Sequence, residues 1–123
     1  MTKESNIIHL DKSGRIKLPL AFRRAVEKTA AGEVFVTSMD DRNIQIYPLA
    51  AWFELVDNLH KGKRDDPLLR QFLMKANYNG QKARLDKYGR VQIPGFLRKK
   101  IKLDGKIATE EREGHLGLKT AYK

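Results

Sequence analysis

The chain has 123 residues, of which 25 are Lys or Arg and 15 are Asp or Glu, so its formal net charge at pH 7 is +10 with histidine neutral. It contains no cysteine, which excludes a disulfide scaffold, a thiolate zinc site and cysteine-based catalysis. No apolar run approaches the ~18–20 residues that cross a bilayer, and the N-terminus lacks the apolar stretch of a signal peptide. These features predict a compact, soluble, cytoplasmic protein whose positive charge suits a polyanionic partner.

The positive charge is concentrated in the second half of the chain. Residues 1–62 contain nine basic and eight acidic residues, whereas residues 63–123 contain 16 and 7. Within residues 81–106, nine basic residues are opposed only by Asp86 and Asp104. A concentrated patch indicates a nucleic-acid partner more strongly than a diffuse excess does, although a general contribution to solubility is the alternative.

The first segment of the chain predicts two short strands joined by a tight turn. The apolar run at residues 7–10 ends at the sequence Asp-Lys-Ser-Gly, in which the Asp accepts backbone hydrogen bonds and the Gly supplies a positive φ. Residues 15–18 then alternate between charged and apolar. This alternation predicts a strand that buries Ile16 and Leu18 and leaves Arg15 and Lys17 on its outer face.

A short helix and a hairpin are expected to follow. Pro19 suits the first position of a helix, where its missing N–H matters least. Phe22 and Val26 mark the buried side of this helix, and Gly32 ends it. Residues 33–47 then predict a hairpin around a polar turn at residues 39–42.

Two helices are predicted between this segment and the next. Pro48 is expected to start the first, while Asp66 caps the second and Pro67 lies in its first turn. A solvated connector at residues 60–65 separates them, and Asn79-Gly80 turns the chain onward. The apolar stripes, which we interpret as packing against the strands or a neighbouring subunit, are Leu49, Trp52, Phe53, Val56 and Leu59 in the first helix and Leu68, Leu69, Phe72, Leu73 and Ala76 in the second.

The first segment recurs 75 residues later. The sequence LDKSGRIKLP at residues 10–19 returns as LDKYGRVQIP at residues 85–94, and seven of the fifteen positions from residue 10 to 24 are identical to those from residue 85 to 99. Such agreement predicts a duplication. The predicted division is a first repeat at residues 5–47, a helical connector at residues 48–80 and a second repeat at residues 81–123.

The sequence offers little for catalysis. His9, His60 and His115 have no metal-binding spacing, and the carboxylate pairs Asp40-Asp41 and Asp65-Asp66 lie beside a turn and a helix start, where Asp is expected for local reasons. Phosphate-cradling and nucleophile-elbow motifs are missing. We therefore expect no enzyme activity, no cofactor, no metal and no small-molecule substrate.

The residues that recur in both repeats are the candidates for function. Each D-x-x-x-R turn carries an Arg that can bind guanine bidentately and a Lys that suits a phosphate. For the two Asp residues, capping the turn and pairing with the local Arg is the alternative role. The predicted DNA contacts are Arg15, Arg90, Lys12, Lys87, Lys17, Arg23, Arg24, Arg98 and Lys99, and the turn-shaping residues are Asp11, Gly14, Asp86 and Gly89.

At these residues the sequence resembles the MraZ family, relatives of the AbrB/MazE swapped-hairpin barrels. The resemblance rests on LDKSGRIKLP…FRR and LDKYGRVQIP…LRK, on the hairpin end IQIYP, on the Trp52 helix and on DPLLRQFLMKANYNG before the second copy. It implies an α+β fold: a small β-barrel of the AbrB-like type, built from two βββα-like repeats in one chain with two linking helices. The sequence departs from the family pattern at its polar start, MTKESN, and at residues 106–118, which show only a weak hairpin pattern.

The resemblance also implies a function. We expect a bacterial, nucleoid-associated transcriptional regulator that forms a ring-like homo-oligomer and binds repeated promoter boxes of the division and cell-wall gene cluster. An antitoxin-like or assembly module with a protein partner is the main alternative. RNA binding is less favoured, because the aromatic residues fall on helix stripes and not on an exposed stacking platform.

Overall fold

A computed structural model describes residues 5–62, 66–112 and 114–120 of the chain. These residues form an α+β fold with four helices and eight strands. In chain order the elements are β1 (Ser5–His9), β2 (Arg15–Lys17), α1 (Leu20–Ala30), β3 (Glu33–Thr37), β4 (Ile44–Pro48), α2 (Leu49–Gly62), α3 (Pro67–Asn79), β5 (Gln81–Arg84), β6 (Arg90–Gln92), α4 (Gly95–Ile101), β7 (Lys106–Arg112) and β8 (His115–Thr120).

The strands form two separate antiparallel units. One is a six-stranded sheet in the order β1-β7-β8-β4-β3-β5, and the other is a two-stranded ribbon of β2 and β6. The hydrogen-bonded ladders therefore do not close into the predicted barrel. The physical reason lies in the ribbon strands: each has three residues, bounded by an Asp turn on one side and by Pro19 or Pro94 shortly after it. Strands this short, followed by a residue without an N–H, cannot extend a ladder to the edges of the sheet.

Strands from the two similar segments pair with each other. The first strand of each segment lies beside the hairpin of the other: β1 pairs with β7, and β5 pairs with β3. The remaining cross-pairs are β2 with β6, centred on Ile16 opposite Val91, and β4 with β8, centred on Gln45 opposite Gly117. The two segments are therefore interleaved.

One apolar core serves both segments. Ile16, Phe22 and Val26 from the first segment are almost fully buried in the same cluster as Val91 and Leu97 from the second. Because burial of apolar area dominates folding, neither segment provides that core alone. The two segments thus share this core, and a second, smaller buried cluster contains Phe35, Tyr47, Leu49, Trp52 and Ala76. The division at residues 48 and 80 stays a prediction about sequence units.

The short helices lie where the sequence predicts, but each begins one residue later, because Pro19 and Pro94 are N-caps and not the first helical residues. α1 follows Pro19 and buries Phe22 and Val26, and α4 follows Pro94 and buries Leu97. Each helix ends in a residue with left-handed backbone, Ala31 in α1 and Lys102 in α4. In the first copy the expected Gly32 lies one position beyond this cap, with a φ of 83°.

The linking helices match the prediction in part. Asp66 caps α3 by accepting a hydrogen bond from the Leu68 N–H, as expected. Pro48, however, is the last residue of β4, so α2 begins one residue later than predicted. Leu68 and Phe53 are 75% and 55% exposed, because the buried sides of α3 and α2 are set by Leu73 and Ala76 and by Leu49 and Trp52. Their predicted packing against the strands is wrong, and packing against a neighbouring subunit stays a prediction.

The second hairpin forms despite its weak sequence pattern. β7 and β8 pair over six residues, and Ile107, Leu116 and Leu118 are buried in the core. β7 is also paired with β1, and β8 with β4, so the neighbours supply hydrogen bonds that the local pattern does not reveal. Residues 60–62 of the predicted connector belong to α2, so that part of the prediction is wrong. The rest of the connector at 63–65, the polar start at residues 1–4 and the chain end at 121–123 lie outside the described residues.

Candidate nucleic-acid interface

The two D-x-x-x-R turns have the same geometry. In the first, Asp11 Oδ1 accepts hydrogen bonds from the N–H groups of Ser13 and Arg15, both at 2.9 Å. The Gly14 N–H closes the turn on the Asp11 carbonyl at 3.0 Å, and Gly14 has a φ of 84°. Gly is favoured at such a position because it has no Cβ, whereas other residues are strained at this φ.

The second turn repeats these contacts. Asp86 Oδ1 accepts from the N–H groups of Tyr88 and Arg90 at 2.9 Å, and the Gly89 N–H donates to the Asp86 carbonyl at 3.0 Å. Gly89 has a φ of 79°. Asp86 and Gly89 thus make the same contacts in their turn as Asp11 and Gly14 make in the first.

Both turn carboxylates are stabilised in their charged form. The backbone N–H of Arg15 is the largest influence that lowers the pKa of Asp11 below its ordinary value, and the N–H of Arg90 does the same for Asp86. Burial opposes the shift in both cases, and ion pairing with the Arg of the same turn adds to it. Each turn therefore keeps an ionised Asp at neutral pH and holds its Arg beside it.

The ribbon brings the two arginines together. Arg15 Nε lies 3.3 Å from Asp11 Oδ2, and Arg90 Nε lies 2.8 Å from Asp86 Oδ2. Arg90 Nη1 also lies 3.9 Å from Asp11 Oδ2, so the second arginine touches the carboxylate of the first turn. Both guanidinium groups use Nε for their close Asp contact, which leaves terminal nitrogens for a ligand.

The outer face of the ribbon is strongly cationic. Lys17 stands opposite Arg90 across the ladder, and Arg15 stands opposite Gln92. Directly opposed like charges destabilise a strand pair, and an anionic ligand on this face would reduce that repulsion. The predicted contacts Lys12 and Lys87 in the turns, Lys17 in β2, Arg24 in α1 and Lys99 in α4 are all exposed.

Arg23 and Arg98 support the turns from behind. Arg23 Nη2 donates to the Lys87 carbonyl at 3.3 Å, and its Nε pairs with Glu27 at 3.1 Å. Arg98 Nε donates to the Ile93 carbonyl at 3.1 Å, and a Cβ at Gly14 would collide with its guanidinium group. Both side chains, predicted as DNA contacts, are half-buried against the turn of the opposite segment.

Tyr88 and Gln92 lie near the arginines but were not among the predicted site residues. Arg90 lies over the Tyr88 ring at 5.1 Å from the ring centre, and Gln92 Nε2 donates to the Ser13 carbonyl at 2.7 Å. The signal was present in the repeat, since Tyr88 aligns with Ser13 and Gln92 aligns with Lys17. Positions that differ inside an otherwise repeated turn are where the two halves can act differently.

A second ionic cluster links the β3–β4 turn to two helices. Asp41 Oδ2 lies 2.8 Å from Lys75 Nζ, and its Oδ1 accepts from Asn79 Nδ2 at 3.0 Å and lies 3.3 Å from Lys100 Nζ. The hydrogen bond from Lys75, followed by that from Asn79, lowers the pKa of Asp41 to about 2. This cluster ties α3 and α4 to the turn, and Lys100 is engaged in it.

One of the histidines takes part in an aromatic contact. His115 stacks on Tyr47, with 4.6 Å between ring centres. Across residues 5–62, 66–112 and 114–120, no group of three or more His, Asp or Glu side chains could hold a metal ion. Over the same ranges, every helix is too short or too polar to cross a membrane.

The chain is a small α+β protein in which a two-stranded ribbon carries two cationic turns. Comparison with known proteins identifies the family. Residues 1–75 match the family model described as "MraZ protein, putative antitoxin-like", so the chain belongs to the MraZ family.

Curated relatives extend the match over most of the chain. A "Transcriptional regulator MraZ" from Acidobacterium capsulatum is 30% identical over 94% of this chain and 80% of the relative. Proteins of the same name from Koribacter versatilis and Shewanella frigidimarina are 31% and 35% identical, over 88% and 86% of this chain and 74% and 70% of each relative. These relatives are regulators and not enzymes, in agreement with the predicted absence of enzyme activity.

Proposed function

We propose that this chain is a sequence-specific DNA-binding transcriptional regulator that reads repeated promoter boxes with Arg15 and Arg90. The observation that carries the proposal is the ribbon, in which β2 and β6 bring the two D-x-x-x-R turns onto one cationic surface. The names of its relatives support a regulatory role.

The ribbon has a suitable size and chemistry for a DNA groove. Three paired residues span ~10 Å along each strand, and the major groove is ~12 Å wide and admits a two-stranded ribbon. Arg is the usual partner of the guanine O6 and N7 atoms. Asp11 and Asp86 hold the arginines at Nε, which leaves the terminal nitrogens for a base edge, and the exposed Lys12 and Lys87 suit the flanking phosphates.

Repeated boxes imply an oligomer. A single pair of turns offers few base contacts, whereas several linked pairs bind with much greater avidity. Exposed apolar side chains on the linking helices offer a surface for self-association, and we extend the proposal to a ring-like homo-oligomer with an AbrB-type arrangement of interleaved hairpins. The exposed apolar residues of α2 and α3 are Phe53, Leu68, Met74 and Tyr78.

The test is a fluorescence-anisotropy titration. The probes are the promoter fragment upstream of the division and cell-wall cluster and a scrambled duplex of the same composition, each at two salt concentrations. We expect preference for the promoter fragment, and we expect the variant Arg15→Ala/Arg90→Ala to lose that preference. Each phosphate contact should add ~0.9 to the slope of log K against log salt, so Lys12→Ala/Lys87→Ala should weaken both duplexes alike and lower the slope.

Equal binding of both duplexes by the wild type, unchanged in the arginine variant, would contradict the proposal. The charge would then be a polyanion patch without a reading function. Such a result would favour an antitoxin-like module, which the description of the matching family also names. Co-purification of a stoichiometric protein partner at physiological salt would support that second function.

A further inference from the structure

The two D-x-x-x-R turns differ at one internal position, which is Ser13 in the first and Tyr88 in the second. Tyr88 is 55% exposed, so its ring contributes little to the apolar core. An aromatic side chain at the tip of a polar turn therefore calls for a local explanation.

That explanation is the contact with Arg90. The Arg90 guanidinium lies over the Tyr88 ring at 5.1 Å from the centroid, within the range in which a cation is attracted by the ring quadrupole. Arg90 also has Asp86 at 2.8 Å and Asp11 at 3.9 Å. Three groups thus restrict its position.

Arg15 is held less closely. Its ion pair with Asp11 has a longer distance of 3.3 Å, and that carboxylate is shared with Arg90. The corresponding neighbour in its turn is Ser13, which has no ring. The two arginines are therefore unequal, although the backbone hydrogen bonds of their turns are the same.

We propose that Tyr88 is a positioning residue that makes Arg90 the fixed reader of the pair and leaves Arg15 as the adaptable one. The inference rests on the proposed function and deepens it. A side chain that is already held in its binding geometry loses less conformational entropy on contact, which raises affinity and selectivity together. The second turn then tolerates fewer base changes in its half of the box than the first turn does.

Tyr88 also organises the phosphate side of the turn. Lys87 Nζ lies 5.3 Å from the centre of the same ring. One aromatic side chain therefore contacts both Arg90, the proposed base reader, and the neighbouring lysine. The first turn has no such platform at Ser13, and Lys12 is simply exposed.

The experiment selects a preferred duplex from a randomised library with the wild-type chain and then measures Kd for that duplex and for each single base change. The full chain carries Tyr88→Ser, Tyr88→Phe or Ser13→Tyr. A cation–π contact at an exposed site predicts a loss of about two- to fivefold for Tyr88→Ser on the selected duplex. The loss should be confined to base pairs read by one turn, Tyr88→Phe should retain wild-type affinity, and Ser13→Tyr should sharpen the other half of the box.

A DNA-independent readout accompanies the titration. Ring-current shifts move the Arg90 side-chain NMR signals upfield when a ring lies over the guanidinium. We expect these shifts in the wild type and in Tyr88→Phe, and their loss in Tyr88→Ser while the backbone signals of Asp86 and Gly89 stay in place. That pattern separates positioning of Arg90 from a general loss of the turn.

The outcomes separate this inference from the function on which it rests. A wild-type chain with no preferred duplex overturns both. A preferred duplex that Tyr88→Ser binds with unchanged affinity and unchanged base preference overturns the role of Tyr88 alone, as do Arg90 shifts that are identical in the wild type and in Tyr88→Ser.

Discussion

The molecule has two kinds of turn in which an Asp side chain accepts backbone hydrogen bonds, and the two kinds differ in the cations that they hold. In the D-x-x-x-R turns, the Asp pairs with an Arg four residues away, and that Arg stays at the surface. In the β3–β4 turn, Asp40 Oδ1 likewise accepts from the N–H groups of Arg42 and Asn43 at 2.9 Å. Its neighbour Asp41, however, pairs with lysines from distant helices.

The difference lies in where the cations come from. The closest ion pair of each turn Arg is with the Asp of its own turn, so its guanidinium group stays at the surface and is available to a ligand. Lys75 and Lys100 instead connect α3 and α4 to the hairpin through their ion pairs with Asp41. An ion pair within one turn therefore favours a recognition role, and an ion pair between distant elements favours a structural one.

The largest expected effect comes from removing a turn Asp. Asp86→Ala takes away two backbone hydrogen bonds and frees Arg90, so preference for the selected duplex should fall by about tenfold, the scale of one bidentate base contact. Asp40→Ala is the matched control, because it removes the same type of bonds from the β3–β4 turn. Anisotropy titrations should show full base preference in Asp40→Ala; an equal loss in both variants would erase the distinction between the turns.

Substitution of a turn glycine should have the next largest effect. Gly14 and Gly32 have φ values of 84° and 83°, but only Gly14 has a neighbour, Arg98, where a Cβ would lie. Each change to Ala should lower the free energy of unfolding by ~1–2 kcal/mol, because left-handed backbone is strained for L-residues. Urea denaturation should show similar losses, since the Arg98 side chain can move, while only Gly14→Ala should weaken duplex binding.

Low pH is expected to weaken the Asp41 cluster in the β3–β4 turn. The pKa of Asp41 is lowered from 3.8 to about 2, so its contribution to stability is present above pH 3.8 and is lost as the pH falls towards 2. Thermal unfolding between pH 5 and pH 2 should therefore show a shallower decline for Asp41→Asn than for the wild type. Parallel declines would mean that the Asp41 cluster contributes nothing to acid sensitivity.

The smallest effect is expected for Lys75→Ala. This lysine is partly exposed, and surface ion pairs contribute little to stability. Its urea midpoint should shift less than that of Gly32→Ala, and its DNA affinity should match the wild type. A clear drop in base preference would instead assign Lys75 to the DNA surface and contradict the structural role.

The local features of the fold were predictable because they depend on near neighbours in sequence. The Asp11 and Asp86 turns, their glycines and the burial of Ile16 follow from contacts within four residues and from strand alternation. The same holds for the Asp66 cap. Each of these features can be read from a short stretch of chain.

Features that depend on residues distant in the sequence could not be predicted from the local residue pattern. Alternation shows which face of a strand is buried, but not that β1 lies beside β7 or that the short ribbon leaves the sheet open. The exposure of Leu68 depends on how α3 lies against the sheet. In the site, the support of Gly14 by Arg98 and the contact of Arg90 with Asp11 cross between the two segments.

The most direct test of the account is an NMR titration of the isotope-labelled chain with the selected duplex. We expect the largest shift changes to fall together on residues 11–17 and 86–92, with the Arg15 and Arg90 side-chain Nε–H signals among them. The Asp41, Lys75 and Asn79 signals should stay unchanged. Changes centred on α2 and α3, with both D-x-x-x-R turns unaffected, would contradict the claim that the paired turns form the DNA-reading surface.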